Sequence, residues 1–128
     1  MKINTINYSI REIIENVNKG HFLLRPSLNS PEITEEQFTF IISSILNDIF
    51  PKNYKLFSVE ILGGLDSFNH SANLILKIIE FIESERFQEL EPAMRAKFYR
   101  YSFDVNSILS SEKEGFVFLD KLFEIKHF

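Results

Sequence analysis

The residues Val59 to His70, V-E-I-L-G-G-L-D-S-F-N-H, carry the most chemically suggestive spacing in the chain. An apolar run, a glycine pair and a helix-forming run is the order in which many proteins offer free backbone N–H groups to a phosphate. Such a loop usually adds the charge of a nearby Lys or Arg. Here Gly63 and Gly64 are followed by Leu65, Asp66, Ser67, Phe68 and Asn69, none of them basic. Asp66 sets a negative charge where the phosphate would sit, and as a helix N-cap its carboxylate would take the same N–H groups. Walker-type Gly-Lys-Ser/Thr and G-x-G-x-x-G are both absent. The stretch therefore reads as a strand-to-helix turn rather than a phosphate site, with Asp66 capping the helix that follows.

A hydrolase or transferase needs a nucleophile or base with an orienting partner, or a metal ion. The histidines are His21, His70 and His127, and the chain has no cysteine, hence no thiolate nucleophile and no disulfide framework. Asp66 and His70 are four residues apart and would share a helix face, as metal ligands sometimes do, but no third ligand stands nearby. No catalytic group, metal site or cofactor is expected. The enzymatic alternative is a nucleotide binder with a reshaped site around Gly63, Gly64, Asp66 and His70.

Charge points elsewhere. The formal net charge is -4, where a domain gripping a nucleic-acid backbone is more often basic. Two acidic clusters stand out: Glu32, Glu35 and Glu36, then Glu80, Glu83, Glu85, Glu89 and Glu91. A solvated surface explains such groups by itself; the sharper reading is an acidic face that meets a basic protein partner. The partner-binding residues under that reading are Glu32, Glu35, Glu36, Glu83, Glu85, Glu89 and Glu91. Arg95, Lys97 and Arg100 make the only basic cluster, and it reads as ordinary helix-surface charge.

The elements that must position these residues follow from local signals. Ser9 with Glu12, and Thr34 with Gln37, are capping boxes. After the first, Ile10, Ile13, Ile14 and Val17 recur at helical spacing until Gly20 supplies a left-handed stop. After the second, Phe38, Ile41, Ile42, Ile45, Leu46 and Ile49 form one stripe, with Pro51 just beyond. His21–Arg25 and Lys55–Leu62 read as strands, Pro26 and Pro31 bracket a loop, and a helix runs from about Phe68 or Ser71 to Glu83. Pro92 suits a helix first turn, and Met94, Phe98, Tyr101, Val105 and Ile108 recur by four and three, predicting helix through Ile108. Ser111 with Glu114 caps a final helix containing Phe118, Leu119, Leu122 and Phe123.

The expected architecture is α+β, one small domain over residues 1–128, with two or three strands and about five helices, helix-dominated. Phenylalanine occurs 14 times against no tryptophan, which predicts an aromatic core or, less simply, an apolar face for a partner or for self-assembly. The N-terminus M-K-I-N-T-I-N lacks the apolar run of a signal peptide, and no segment reaches the ~18 apolar residues of a membrane span. A cytoplasmic protein that binds neither membrane nor nucleic acid directly is the expectation.

In this order the segments resemble the N-terminal ParB/sulfiredoxin-like domain of GmrSD-type modification-dependent endonucleases. That family opens with S-I-x-E-L-x-x-x-I-x-x-G and an apolar strand ending in P-x-x-Q-R. A helix like L-I-x-S-I-L-x-G-x-P follows, then a strand ending in D-G-x-Q-R. The matching pieces here are Y-S-I-R-E-I-I-E-N-V-N-K-G-H-F-L-L-R-P-S-L-N-S from Tyr8, F-I-I-S-S-I-L-N-D-I-F-P from Phe40, V-E-I-L-G-G-L-D-S from Val59 and F-Q-E-L-E-P-A-M-R-A-K-F-Y-R-Y-S-F-D-V from Phe87. The likeness runs from about Tyr8 to Phe123 and lies in the apolar and turn skeleton. The family's arginines, suited to phosphate by their planar fork, are replaced by Ser30 and Ser67. What the resemblance implies is a catalytically stripped relative of a nucleotide-hydrolysing fold. With the acidic groups, it suggests a non-enzymatic inhibitor, phage or mobile-element encoded, of a bacterial defence nuclease such as a restriction or CRISPR effector. An antitoxin or immunity protein has nearly the same signature.

Overall fold

A computed structural model describes residues 3–25, 32–60, 66–68 and 71–108. Its strands are β1 (Ile3–Ser9), β2 (Phe22–Leu24), β3 (Tyr54–Glu60), β4 (Asp66–Phe68) and β5 (Ser102–Ile108). Its helices are α1 (Ile10–Asn18), α2 (Glu35–Leu46), α3 (Ala72–Glu83), α4 (Glu85–Gln88) and α5 (Pro92–Arg100). The class is α+β as expected, but the described residues hold five strands, not two or three, in one sheet of order β1-β5-β3-β4-β2.

Both capping boxes form. Ser9 Oγ accepts from the Glu12 N–H at 3.1 Å while Glu12 Oε1 accepts from the Ser9 N–H at 2.9 Å. Thr34 and Gln37 repeat the exchange at 3.1 and 2.9 Å. Gly20 ends α1 at φ 78°: its N–H reaches the Val17 carbonyl and the His21 N–H the Asn16 carbonyl, a Schellman closure. The same closure ends α2 with Asp48 in the left-handed position at φ 60°. The α2 stripe is buried from Phe38 to Ile45, but Ile49 lies past the helix end and is exposed.

The predicted helix through Ile108 stops at Arg100. Tyr101 closes it, and Ser102–Ile108 runs instead as a central strand, parallel to β3 and antiparallel to β1. Phe98, Tyr101 and Val105 fit a helical period, yet Phe103 and Val105 also alternate by two, and both are buried. Pairing on two sides decided between the periods. β1 is a strand because β5 offers it a partner along all seven residues, with Ile3 opposite Ile108 and Ser9 opposite Ser102.

The core is aromatic, as the phenylalanine count predicted: every described phenylalanine but Phe40 is buried. Phe81, Phe87 and Phe98 meet edge-to-face at 5.4–5.7 Å under α3, α4 and α5. Tyr8 on one edge strand meets Phe22 on the other at 5.2 Å, so the sheet curls around the face that carries the core. The predicted final helix at Ser111–Phe123, the Pro26–Pro31 loop, Gly63, Gly64 and His70 lie outside the described residues.

Candidate functional site

Within the Val59–His70 stretch, Val59 and Glu60 end β3 and Asp66–Phe68 form β4, while residues 61–65, 69 and 70 lie outside the described residues. Asp66 begins β4, where it pairs with Phe22 of β2 and Glu60 of β3. It does not cap a helix, because α3 starts six residues later at Ala72 with Ser71 in the N-cap position. Asp66, Ser67 and Phe68, expected to lead into a helix whose N–H groups could face a phosphate, pair instead in a sheet ladder. Asp66 lies in a strand and not on the expected helix face, and His70 lies outside the described residues. Among the described residues no group of three or more His, Cys, Asp or Glu is placed to hold a metal ion.

All seven predicted partner-binding carboxylates are exposed. Glu32 precedes α2, Glu35 and Glu36 occupy its first turn, Glu83 ends α3, Glu85 begins α4, Glu89 follows it and Glu91 precedes α5. Glu35 lines a groove of about 170 Å³ between α2, α3 and α4, together with Phe38, Lys77, Glu80, Phe81, Ser84 and Arg86. Lys77 Nζ donates to Glu35 Oε1 at 2.6 Å. That bond and the lysine's charge hold the Glu35 carboxyl below its ordinary range, and the same bond raises Lys77. The two acidic groups thus approach each other through Glu35 and Glu80. The groove does not include Glu32, Glu36, Glu83, Glu85, Glu89 or Glu91. Lys77 and Glu80 were in plain sight, but which residues of α3 face α2 depends on tertiary packing.

Five basic side chains, Arg11, Lys77, Arg86, Arg95 and Lys97, are engaged within the fold. Arg95 Nη1 donates to the Gln88 and Leu90 carbonyls at 2.8 and 2.7 Å, closing the end of α4. Arg11 lies 4.5 Å over the Tyr99 ring and Arg86 5.7 Å over Phe81. Lys97 Nζ donates to Asp48 Oδ2 at 2.7 Å, so the predicted basic cluster of α5 is largely absorbed, with Arg100 left exposed. Glu35 and Asp48 are each in an ion pair with a lysine.

No helix among the described residues is long and apolar enough to cross a membrane. Comparison with known proteins returns no match to a family model, a curated protein or a solved structure.

Proposed function

We propose that this chain is a non-enzymatic inhibitor that binds a nucleic-acid-processing enzyme of bacterial defence, a restriction or CRISPR effector, through its acidic surface. One observation carries the reading, the partition of charge. Lys77, Lys97, Arg11, Arg86 and Arg95 are turned onto carboxylates, carbonyls and rings of the fold, and Lys19, Arg25, Lys52 and Arg100 stay exposed. Glu36, Glu83, Glu85, Glu89 and Glu91, four of them within the short span from the end of α3 to the start of α5, pair with no described cation. A surface left with unpaired carboxylates steers toward a basic patch, and nucleases carry such patches where they hold the phosphate backbone. The loss of the family's arginines at Ser30 and Ser67 fits a stripped ParB/sulfiredoxin-like relative without phosphate chemistry.

The test is cleavage by purified restriction and CRISPR effector nucleases with rising amounts of this chain. Cleavage by a susceptible nuclease slows, the effect weakens as salt rises, and a variant with Glu83→Lys, Glu85→Lys, Glu89→Lys and Glu91→Lys loses it while remaining folded. Undiminished inhibition by that variant, or no slowing of any nuclease, defeats the proposal.

A further inference from the structure

We propose that β1 is a self-pairing edge through which two copies of this chain join their sheets into one. Among the described residues β1 is the outermost strand on its side of the sheet, and it is paired across its whole length with β5. The Ile10 N–H donates to the Tyr101 carbonyl, which extends the β1–β5 register by one hydrogen-bonded pair. Antiparallel ladders alternate, so Tyr8 and Ile6 also turn their backbone groups toward β5, and Ser9, Asn7 and Thr5 turn theirs outward. The Ser9 N–H confirms the phase, since it points away from β5 to Glu12 Oε1. The outward N–H and C=O of Thr5 and Asn7 meet no described partner, and both residues are exposed.

Edges of this kind are normally blunted by a charge, a proline or a bulge. The sequence I-N-T-I-N-Y-S has none of these, and its register with β5 runs without interruption. The second copy is the occupant because the strand is self-complementary about its centre. Ile6 is the middle residue of Ile3–Ser9, and its side chain is 53% exposed. Antiparallel pairing about a two-fold axis at Ile6 sets Thr5 opposite Asn7 of the other copy, and each such pair exchanges both outward backbone bonds. The two Ile6 residues then form the intervening pair without backbone bonds, where cross-strand side chains approach most closely. The net charge of -4 opposes association of two copies, but no charged residue lies on the strand that joins them. This pairing is independent of the inhibitor reading.

The absence of cysteine makes the test clean. Ile6→Cys places one thiol per copy directly across the axis, at a Cβ separation of about 4.5–5.5 Å that a disulfide can bridge with slight adjustment. Under mild oxidant this variant converts to a covalent dimer, whereas Ser43→Cys, exposed on α2, stays monomeric. Analytical ultracentrifugation over a concentration series finds a monomer–dimer equilibrium for the unaltered chain and loss of the dimer boundary for Ile6→Lys, whose fold is checked by circular dichroism. A monomer at every concentration, an Ile6→Lys variant that still dimerises, or equal cross-linking at Ser43→Cys overturns the proposal.

Discussion

Ser71→Ala tests how the sheet is closed above β4. Among the described residues β4 pairs with β3 at Val59 and Glu60, and the Phe57 N–H lies beyond that short ladder. The Ser71 hydroxyl accepts it at 2.7 Å in a site with no solvent exposure, standing in for the carbonyl of a longer strand. Ser71 also holds the N-cap position of α3, but its side chain makes no cap bond there, so the substitution acts on the sheet and not the helix. Leaving that buried N–H without its acceptor costs about 1–3 kcal/mol. With a urea m-value of roughly 1.5–2 kcal/mol/M, a loss of about 2 kcal/mol lowers the unfolding midpoint by about 1 M. Ser44 supplies the control, being equally buried but inside α2 with no side-chain hydrogen bond to a described residue. Ser44→Ala is neutral or slightly stabilising, since alanine is the better helix former by about 0.5 kcal/mol. Equal midpoints for Ser71→Ala and the unaltered chain, or an equal loss in Ser44→Ala, would refute the reasoning.

Phe98→Ala removes the ring at the centre of the Phe81–Phe87–Phe98 group and costs about 3–5 kcal/mol in urea unfolding. Gly20→Ala costs about 1–2 kcal/mol, although a methyl there meets no atom within 4 Å, because the penalty is the left-handed backbone itself. Burial raises the Tyr54 and Tyr101 phenols, with Tyr101's charge as a further cause for Tyr54 and Asp104's for Tyr101. Their contribution to stability is therefore complete below the unfolded tyrosine value of about 10 and is lost as pH rises above it, so their phenolate absorbance appears together with loss of the folded circular dichroism. Glu83 ends α3 at the negative pole of the helix dipole, so Glu83→Lys raises the thermal midpoint slightly and also weakens nuclease inhibition; a variant that does neither counts against both the unfavourable pole and the acidic interface.

Much of the fold was legible where the signal was local. Ser9, Glu12, Thr34, Gln37 and Gly20 act within one turn of chain, and each does what its type and position dictate. The errors fall where partners distant in sequence decide. Thr5 bonds Asn106 at 2.7 Å across 101 residues of chain, and nothing in either neighbourhood announces the pairing. β4 has three residues, too few for a period of two to register, so Asp66 read as a cap. The Tyr101–Ile108 stripe satisfied a helical period and a strand period together, and only β1 and β3 on its two sides separate them. The seven carboxylates are exposed, as a solvated surface requires, but the meeting of Glu35 with Lys77 in the α2–α3 groove depends on how two helices pack.

The position of these carboxylates on their helices separates those the fold uses from those it does not. Glu35, Glu36 and Glu85 sit in first turns, where the positive end of the helix dipole favours a carboxylate. Their presence is explained without any partner. Glu83 is different: it ends α3 at the negative pole, and the last turn of that helix carries no basic residue to offset it. At the comparable end of α5, Lys97 and Arg100 supply the favourable sign, and at the end of α4 Arg86 and Arg95 do so. Glu83 is therefore the carboxylate least accounted for by the stability of its own helix. A basic partner surface would supply the missing positive charge, which makes Glu83 the residue where a stability gain and a binding loss should part company.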